Sequence, residues 1–284
     1  MNNFHTKPTT YVDHVKIKVS DLQRSLRFYQ EVIGFQILET TDTSAKLTAD
    51  GKTTLLTIEQ PENVKPKQRR TTGLYHFAIL LPNRSDLANI LTHFIDHNIQ
   101  IGASDHLVSE AIYLSDPDGN GIEVYIDRDP SEWEWNNGEV AMTVDPLNFR
   151  GVLSSKKENE LWQGLPPETV MGHIHLHVSD LEKTEEFYSK GLGFDVVCRF
   201  GSQALFISSN QYHHHIGLNT WNGVGAPSPS KNSVGLDHFS IVLPSHESRI
   251  EVVANLEKVG ASVREENEGL ITTDPSGNDI YLKV

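Results

Sequence analysis

Histidine is where this sequence concentrates its chemistry. Fourteen histidines occur in 284 residues, and four of them, His14, His76, His173 and His238, stand at equivalent places in four similar segments. Three more are consecutive, His213-His214-His215, and one glutamate, Glu123, sits inside the strand-like stretch Gly121-Ile122-Glu123-Val124-Tyr125. Two imidazoles and one carboxylate gathered on one face leave up to about three coordination positions open, an arrangement suited to non-haem Fe(II) chemistry with O₂. A further histidine, titrating near neutrality, is suited to accept a proton and return it later. The single cysteine, Cys198, rules out an internal disulfide and fits a reducing compartment. Its residue type reads as a small core side chain.

The elements that must position these groups repeat. Val19-Ser20-Asp21-Leu22 returns as Val178-Ser179-Asp180-Leu181, Phe28-Tyr29 as Phe187-Tyr188, and Gly34-Phe35 as Gly193-Phe194, all at one offset. Downstream, Leu74-Tyr75-His76-Phe77 answers Leu236-Asp237-His238-Phe239, and Asp116-Pro117-Asp118-Gly119-Asn120 answers Asp274-Pro275-Ser276-Gly277-Asn278. The chain therefore divides into two homologous halves, 10–128 and 170–284, joined by a linker over 129–169. Each half divides again. Val15 to Val19 alternates as a half-buried strand, Asp21 is a helix N-cap, and Leu22, Leu26, Tyr29 and Ile33 recur at helical spacing before Gly34. Strands are expected over 45–49 and 53–59, split by the Asp50-Gly51 turn. From Tyr75 the plan repeats, with a helix from Ser85 to His97 and strands ending at Asp127. The expected fold is α+β: four βαβββ modules, two per half. The linker holds Trp133, Trp135 and Trp162, and so is expected to be partly ordered and packed across the halves.

Bulk properties narrow the function classes. A net charge of −14 disfavours nucleic acid and anionic membrane surfaces as partners, because both would repel the average surface. No run of about 18 apolar residues is present, and the first residues carry no apolar signal core, so the expected location is cytoplasmic.

The strand, Ser-Asp-Leu cap, Phe-Tyr helix and Gly-Phe exit resemble those of the vicinal oxygen chelate superfamily, which includes glyoxalases, extradiol ring-cleaving dioxygenases and bleomycin-resistance proteins. The resemblance covers nearly the whole chain. It implies that two modules curl into one open mixed β-barrel, with metal ligands from the first strand of each module and the last strand of one. The first-strand positions are His14, His76, His173 and His238. The last-strand carboxylate is Glu123, and its counterpart in the fourth module is Tyr281. Glyoxalase-type sites usually present a second carboxylate, but Leu55-Leu56-Thr57-Ile58 and Ile216-Gly217-Leu218-Asn219 contain no acid.

Pairing within a half would give the ligand set His14, His76 and Glu123; cross-pairing of modules two and three would replace His14 by His173. Module two resembles the extradiol dioxygenase pattern in Gly102-Ala103-Ser104-Asp105-His106, Ile112-Tyr113, Asp116 to Asn120 and Glu123. Module three resembles the partner pattern in Gly172-His173 and His213 to Leu218, whereas Thr53-Thr54-Leu55-Leu56 of module one has no ionisable group there. Cross-pairing, modules two with three and one with four, is therefore expected, with His14 as the alternative to His173. His175 and His177 share the strand face of His173.

The resemblance implies a catechol 2,3-dioxygenase-like reaction on a small aromatic diol with O₂. Fe(II) would be the cofactor, with Mn(II) or another divalent metal as substitutes. In that reading His214 is the acid–base residue, and His106 and Tyr113 orient the substrate oxygen. Rival readings are a glyoxalase-like metal-dependent lyase or isomerase and a non-catalytic binder of the bleomycin-resistance kind. A homo-oligomer through the second barrel stays open.

Overall fold

Alternation of apolar and polar side chains makes the strands, and a computed structural model, describing residues 3–158, 161–266 and 269–284, gives their arrangement. Module one comprises β1 (Tyr11–Lys18), α1 (Leu22–Arg27), β2 (Gln36–Thr40), β3 (Ser44–Thr48) and β4 (Leu56–Glu59). Module two comprises β5 (Gly73–Leu80), α2 (Arg84–Asp96), β6 (Gly102–Asp105), β7 (Ser109–Ser115) and β8 (Gly121–Asp127). The linker adds a short hairpin, β9 (Trp135–Asn136) with β10 (Glu139–Val140), and α3 (Phe149–Leu153). Module three follows with β11 (Val170–His177), α4 (Leu181–Glu185), β12 (Asp195–Phe200), β13 (Ala204–Ser208) and β14 (Ile216–Asn219). Module four has β15 (Gly235–Val242), α5 (His246–Lys258), β16 (Val263–Glu266), β17 (Gly269–Thr273) and β18 (Asp279–Lys283).

In every module the first strand runs parallel to the last. That leaves one edge of each first strand to be paired, since unpaired backbone groups are costly when buried. The structure pairs them across the sequence halves: β5 lies antiparallel to β11, and β1 antiparallel to β15. Two eight-stranded curled sheets result, one from modules two and three and one from modules four and one. The cross-pairing expected from the divided motif is the observed topology.

Contiguous modules are tied by a different device. The Tyr29 hydroxyl of module one donates to Asp116 Oδ2 of module two (2.9 Å), and Tyr188 donates to Asp274 Oδ2 (3.1 Å). The same aspartates accept from the backbone of their own turns, Asp116 from Asp118 and Asn120, and Asp274 from Ser276 and Asn278. The repeated Phe-Tyr and Asp-Pro-x-Gly-Asn signatures are thus a buried knot that clamps helix to turn.

Local expectations were close, with physical reasons for the departures. Asp21 caps α1 by accepting from the Arg24 amide, but the helix widens to a π-type turn over Phe28–Ile33 before Gly34 ends it at φ 92°. Asn83, rather than a later residue, caps α2, so the helix begins at Arg84. The strand expected over 53–59 shortens to β4, because the Thr53 amide and hydroxyl are both committed to the Asp50 carboxylate. The linker is ordered through most of its length: Trp133 is buried beside Phe4 and Tyr212, and Trp162 stacks on His93. No helix among the described residues is long and apolar enough to cross a membrane.

Candidate metal centre

The first strand of module three carries a register irregularity between Met171 and His173, which falls on Gly172. An extra residue at a bulge re-aims the next side chain, here His173, toward the concave face. Gly172 is required at this point, since a Cβ would lie 2.1 Å from the hydroxyl of the fully buried Tyr125. Across the sheet, β5 and β8 are parallel neighbours, with Ala78 opposite Glu123, so His76 and Glu123 arrive from adjacent strands.

The three side chains converge. His76 Nε2 lies 3.0 Å and His173 Nε2 lies 3.2 Å from the same oxygen, Glu123 Oε2. All three residues are buried, and among the described residues they form the one cluster of at least three His, Cys, Asp or Glu side chains close enough to hold a metal ion. His76 Nε2 approaches the carboxylate without a well-formed hydrogen bond, which leaves a buried ring nitrogen free for a ligand. Burial lowers His173 to about 4 despite the neighbouring carboxylate, which leaves its imidazole neutral. Burial pushes Glu123 up, but the two imidazoles outweigh it and hold the carboxyl well below the usual carboxylate range. Two imidazoles and one carboxylate with converging donor atoms fit a divalent cation, which would relieve the cost of a buried anion.

A cavity of about 250 Å³ opens against this cluster, and His76, Glu123, His106, Tyr113 and His214 all line it. His106 Nδ1 faces Thr143 O at 2.6 Å and so carries the proton, leaving Nε2 to accept from the Tyr113 hydroxyl (2.6 Å). Burial, with Glu123 adding to it, keeps the Tyr113 phenol protonated well above its ordinary range. The His214 ring sits 4.1 Å from that of His173, and burial followed by the neighbouring imidazoles holds it neutral.

His213, His214 and His215 precede β14, which begins at Ile216. His213 Nε2 donates to Asp127 (2.7 Å), and His215 Nε2 donates to Phe4 O (2.9 Å), which ties Phe4 to module three. His175 lines the cavity, and Asn219 Nδ2 donates to its Nε2 (2.9 Å); Asn219 Oδ1 accepts from His177 Nδ1 (2.7 Å). Sequence reasoning missed Phe206 and Trp221 on the cavity wall, and Met142, Thr143 and Val144, which the linker contributes. The linker's tryptophans were the available signal, since ordered aromatic residues imply packing. His14 and His238 lie together in the other barrel, ring centroids 5.8 Å apart, and away from Glu123. His14 Nε2 is hydrogen-bonded to Thr57 Oγ1 (2.8 Å).

The chain is 48% identical over 270 residues to a catechol-2,3-dioxygenase of Bacillus subtilis (strain 168), an alignment covering 94% of each protein. Its fold matches a Bacillus subtilis crystal structure described provisionally as a dioxygenase (TM-score 0.66, 13% identity, 98% of this chain and 86% of that one). It also matches glyoxalase I from Zea mays (TM-score 0.58, 17% identity, 96% of this chain and 92% of that one). The family model of the Glyoxalase/Bleomycin resistance protein/Dioxygenase superfamily matches both halves, over residues 11–124 and 170–282, and the chain belongs to that superfamily.

Proposed function

We propose that this chain is an extradiol ring-cleaving dioxygenase acting on a catechol-type diol with O₂. The observation that carries the reading is the division of one site between two modules: His76, Glu123, His106 and Tyr113 from module two line one cavity with His214 from module three, and His173 of module three converges on His76 and Glu123. The 48% identity to a catechol-2,3-dioxygenase supports it over nearly the full chain.

His76, His173 and Glu123 would hold the metal, Fe(II) by reaction class, with Mn(II) as the nearest substitute. Such a metal would supply Lewis-acid activation of the diol oxygens, lowering their pKa, together with redox chemistry toward O₂. Glu123 reduces the net charge of the site and so favours the divalent state. His214, neutral and facing the cavity, accepts a substrate proton and returns it later. The Tyr113 hydroxyl, its proton committed to His106 Nε2, accepts a hydrogen bond from a substrate hydroxyl and so orients it. Phe206 and Trp221 supply flat apolar walls for an aromatic ring. β14 contains no carboxylate, and the one in β4, Glu59, ends its strand in the other barrel and pairs with Lys16, which sets this site apart from a glyoxalase-type one with a second acid. We read 10–128 and 170–284 as the duplicated units and 129–169 as the linker. The unpaired, buried Cys198 accords with a cytoplasmic location.

Anaerobic reconstitution with Fe(II), followed by O₂ uptake and visible absorbance with catechol and 3-methylcatechol, tests the reading. A yellow ring-fission product with matching O₂ consumption is expected. Stoichiometric bound metal without O₂ uptake would overturn it in favour of a lyase or isomerase, and no bound metal would favour a binding protein.

A further inference from the structure

The proposed acid–base residue is backed by a buried chain of polar groups that the reaction scheme above does not use. His214 Nδ1 lies 2.9 Å from His213 Nδ1, and His213 Nε2 lies 2.7 Å from Asp127 Oδ1. Asp127 Oδ1 also accepts from the Tyr212 hydroxyl (3.1 Å), which is 2.7 Å from the Tyr125 hydroxyl. His213 is fully buried, with Trp133 of the linker packed edge-on against its ring at 5.2 Å.

The donor and acceptor roles along this chain follow from one fixed end. An ionised carboxylate only accepts, so His213 must place its proton on Nε2. The Nδ1–Nδ1 contact needs one donor and one acceptor, and with the His213 proton on Nε2 the acceptor is His213 Nδ1 and the donor is His214 Nδ1. His214 is left with its proton on Nδ1 and a lone pair on Nε2. We infer that Asp127 and His213 are positioning residues that lock His214 in the Nδ1–H tautomer, with Nε2 ready to take a substrate proton. The arrangement has the logic of a carboxylate that orients a catalytic imidazole in hydrolases, with one extra ring inserted between the two. The inference rests on His214 being the acid–base residue, but the tautomer itself does not depend on the reaction.

Module two's Asp127 thereby controls a side chain of module three, so the relay exists only because the two modules share a barrel. The Nδ1–Nδ1 contact also explains why two adjacent histidines are needed. One ring lines the cavity, and the other spans the gap to a carboxylate at the end of β8.

The test has a spectroscopic arm and a kinetic arm. ¹⁵N-histidine-labelled full-length protein, with Zn(II) as a diamagnetic ion and again without added metal, is examined by long-range ¹H–¹⁵N correlation; a His214→Gln spectrum assigns the signals. A protonated Nδ1 and an unprotonated Nε2 on His214 are expected, and the opposite tautomer would overturn the inference whatever the activity. In turnover, His213→Asn keeps an oxygen where Nδ1 was and should hold kcat within about fivefold. His213→Leu offers no acceptor and should lose about 10²-fold in kcat, with KM and bound metal nearly unchanged. Wild-type kcat in the Leu variant, or equal losses in both variants, would also overturn it. If the Leu variant fails to fold, the spectrum and the Asn variant still decide.

Discussion

The two barrels share one plan and differ in what fills equivalent positions. In the barrel of modules two and three, Gly172 precedes His173 and leaves room for Tyr125, and Glu123 projects between two imidazoles. In the barrel of modules one and four, Asp13 stands where Gly172 does and pairs with Lys283 (3.0 Å), which occupies the place of Tyr125. Tyr281 replaces Glu123 and its ring packs on His238, centroids 4.6 Å apart. His14 is held down to about 3 by burial and then by the nearby charges of Lys283, His238, Lys16 and Lys46. A neutral imidazole among ammonium groups, without a carboxylate in the slot, is a poor place for a divalent cation. The backbone that builds a metal centre can therefore be kept while a few charges decide whether a metal is welcome.

The sharpest way to break this comparison is at the carboxylate. Glu123→Ala should abolish metal retention and lower turnover by about 10³-fold or more, whereas Tyr281→Phe at the equivalent place should leave both intact. Metal analysis by mass spectrometry alongside O₂ uptake reads both. The first-strand histidines come next. His173→Ala should weaken metal binding by more than about 100-fold, beyond the usual effect of losing an outer partner, while His14→Ala retains the metal. The reverse order would return the site to a within-half arrangement.

Stability should show the opposite pattern, with both barrels alike. Phe77 and Phe239 are equivalent and fully buried, so truncating either to Ala should cost about 3–5 kcal/mol in denaturant unfolding. A large difference between them would mean that one barrel folds independently of the other. Gly172→Ala should cost about 1–3 kcal/mol by overpacking against Tyr125. Asp13→Asn, which removes a partly exposed ion pair with Lys283 and keeps an acceptor for the buried Ser240 hydroxyl, should cost about 1 kcal/mol or less.

The gentlest effect is that of pH, and it should act on both barrels. Burial holds His14 to about 3 and His173 to about 4, so both stay neutral in the folded protein over a range where the unfolded chain is protonated. The unfolded state then binds more protons, and stability falls as pH drops from about 6.5 toward 4. Unfolding midpoints at pH 7.5, 6 and 5 should decrease in that order. Constant midpoints would show that these rings titrate freely in the folded state.

Much of this was legible in the residues because duplication left a record. Equivalent histidines, the Ser-Asp-Leu caps and a motif divided between modules two and three identified the modules and their pairing before any coordinate was known. Other features were hidden for physical reasons. The bulge at Gly172 adds one residue to a strand that still alternates normally. The linker's contribution of Met142 to Val144 depends on where an irregular segment folds back. The Asp-Pro-x-Gly-Asn turn resembled a site signature, but Asp116 is a structural anchor for Tyr29.

Local sequence determined what is local: strand alternation, capping by Asp21 and Asp180, and a neutral or charged residue in each ligand slot. Those properties follow from residue type and spacing along one chain segment. Only the tertiary structure decided which nitrogen of each histidine carries a proton, because that depends on partners far away in sequence. Asp127 faces His213, Thr143 faces His106, and Asn219 faces both His175 and His177, each across a loop or between strands. A sequence supplies the imidazoles, and the fold assigns their lone pairs.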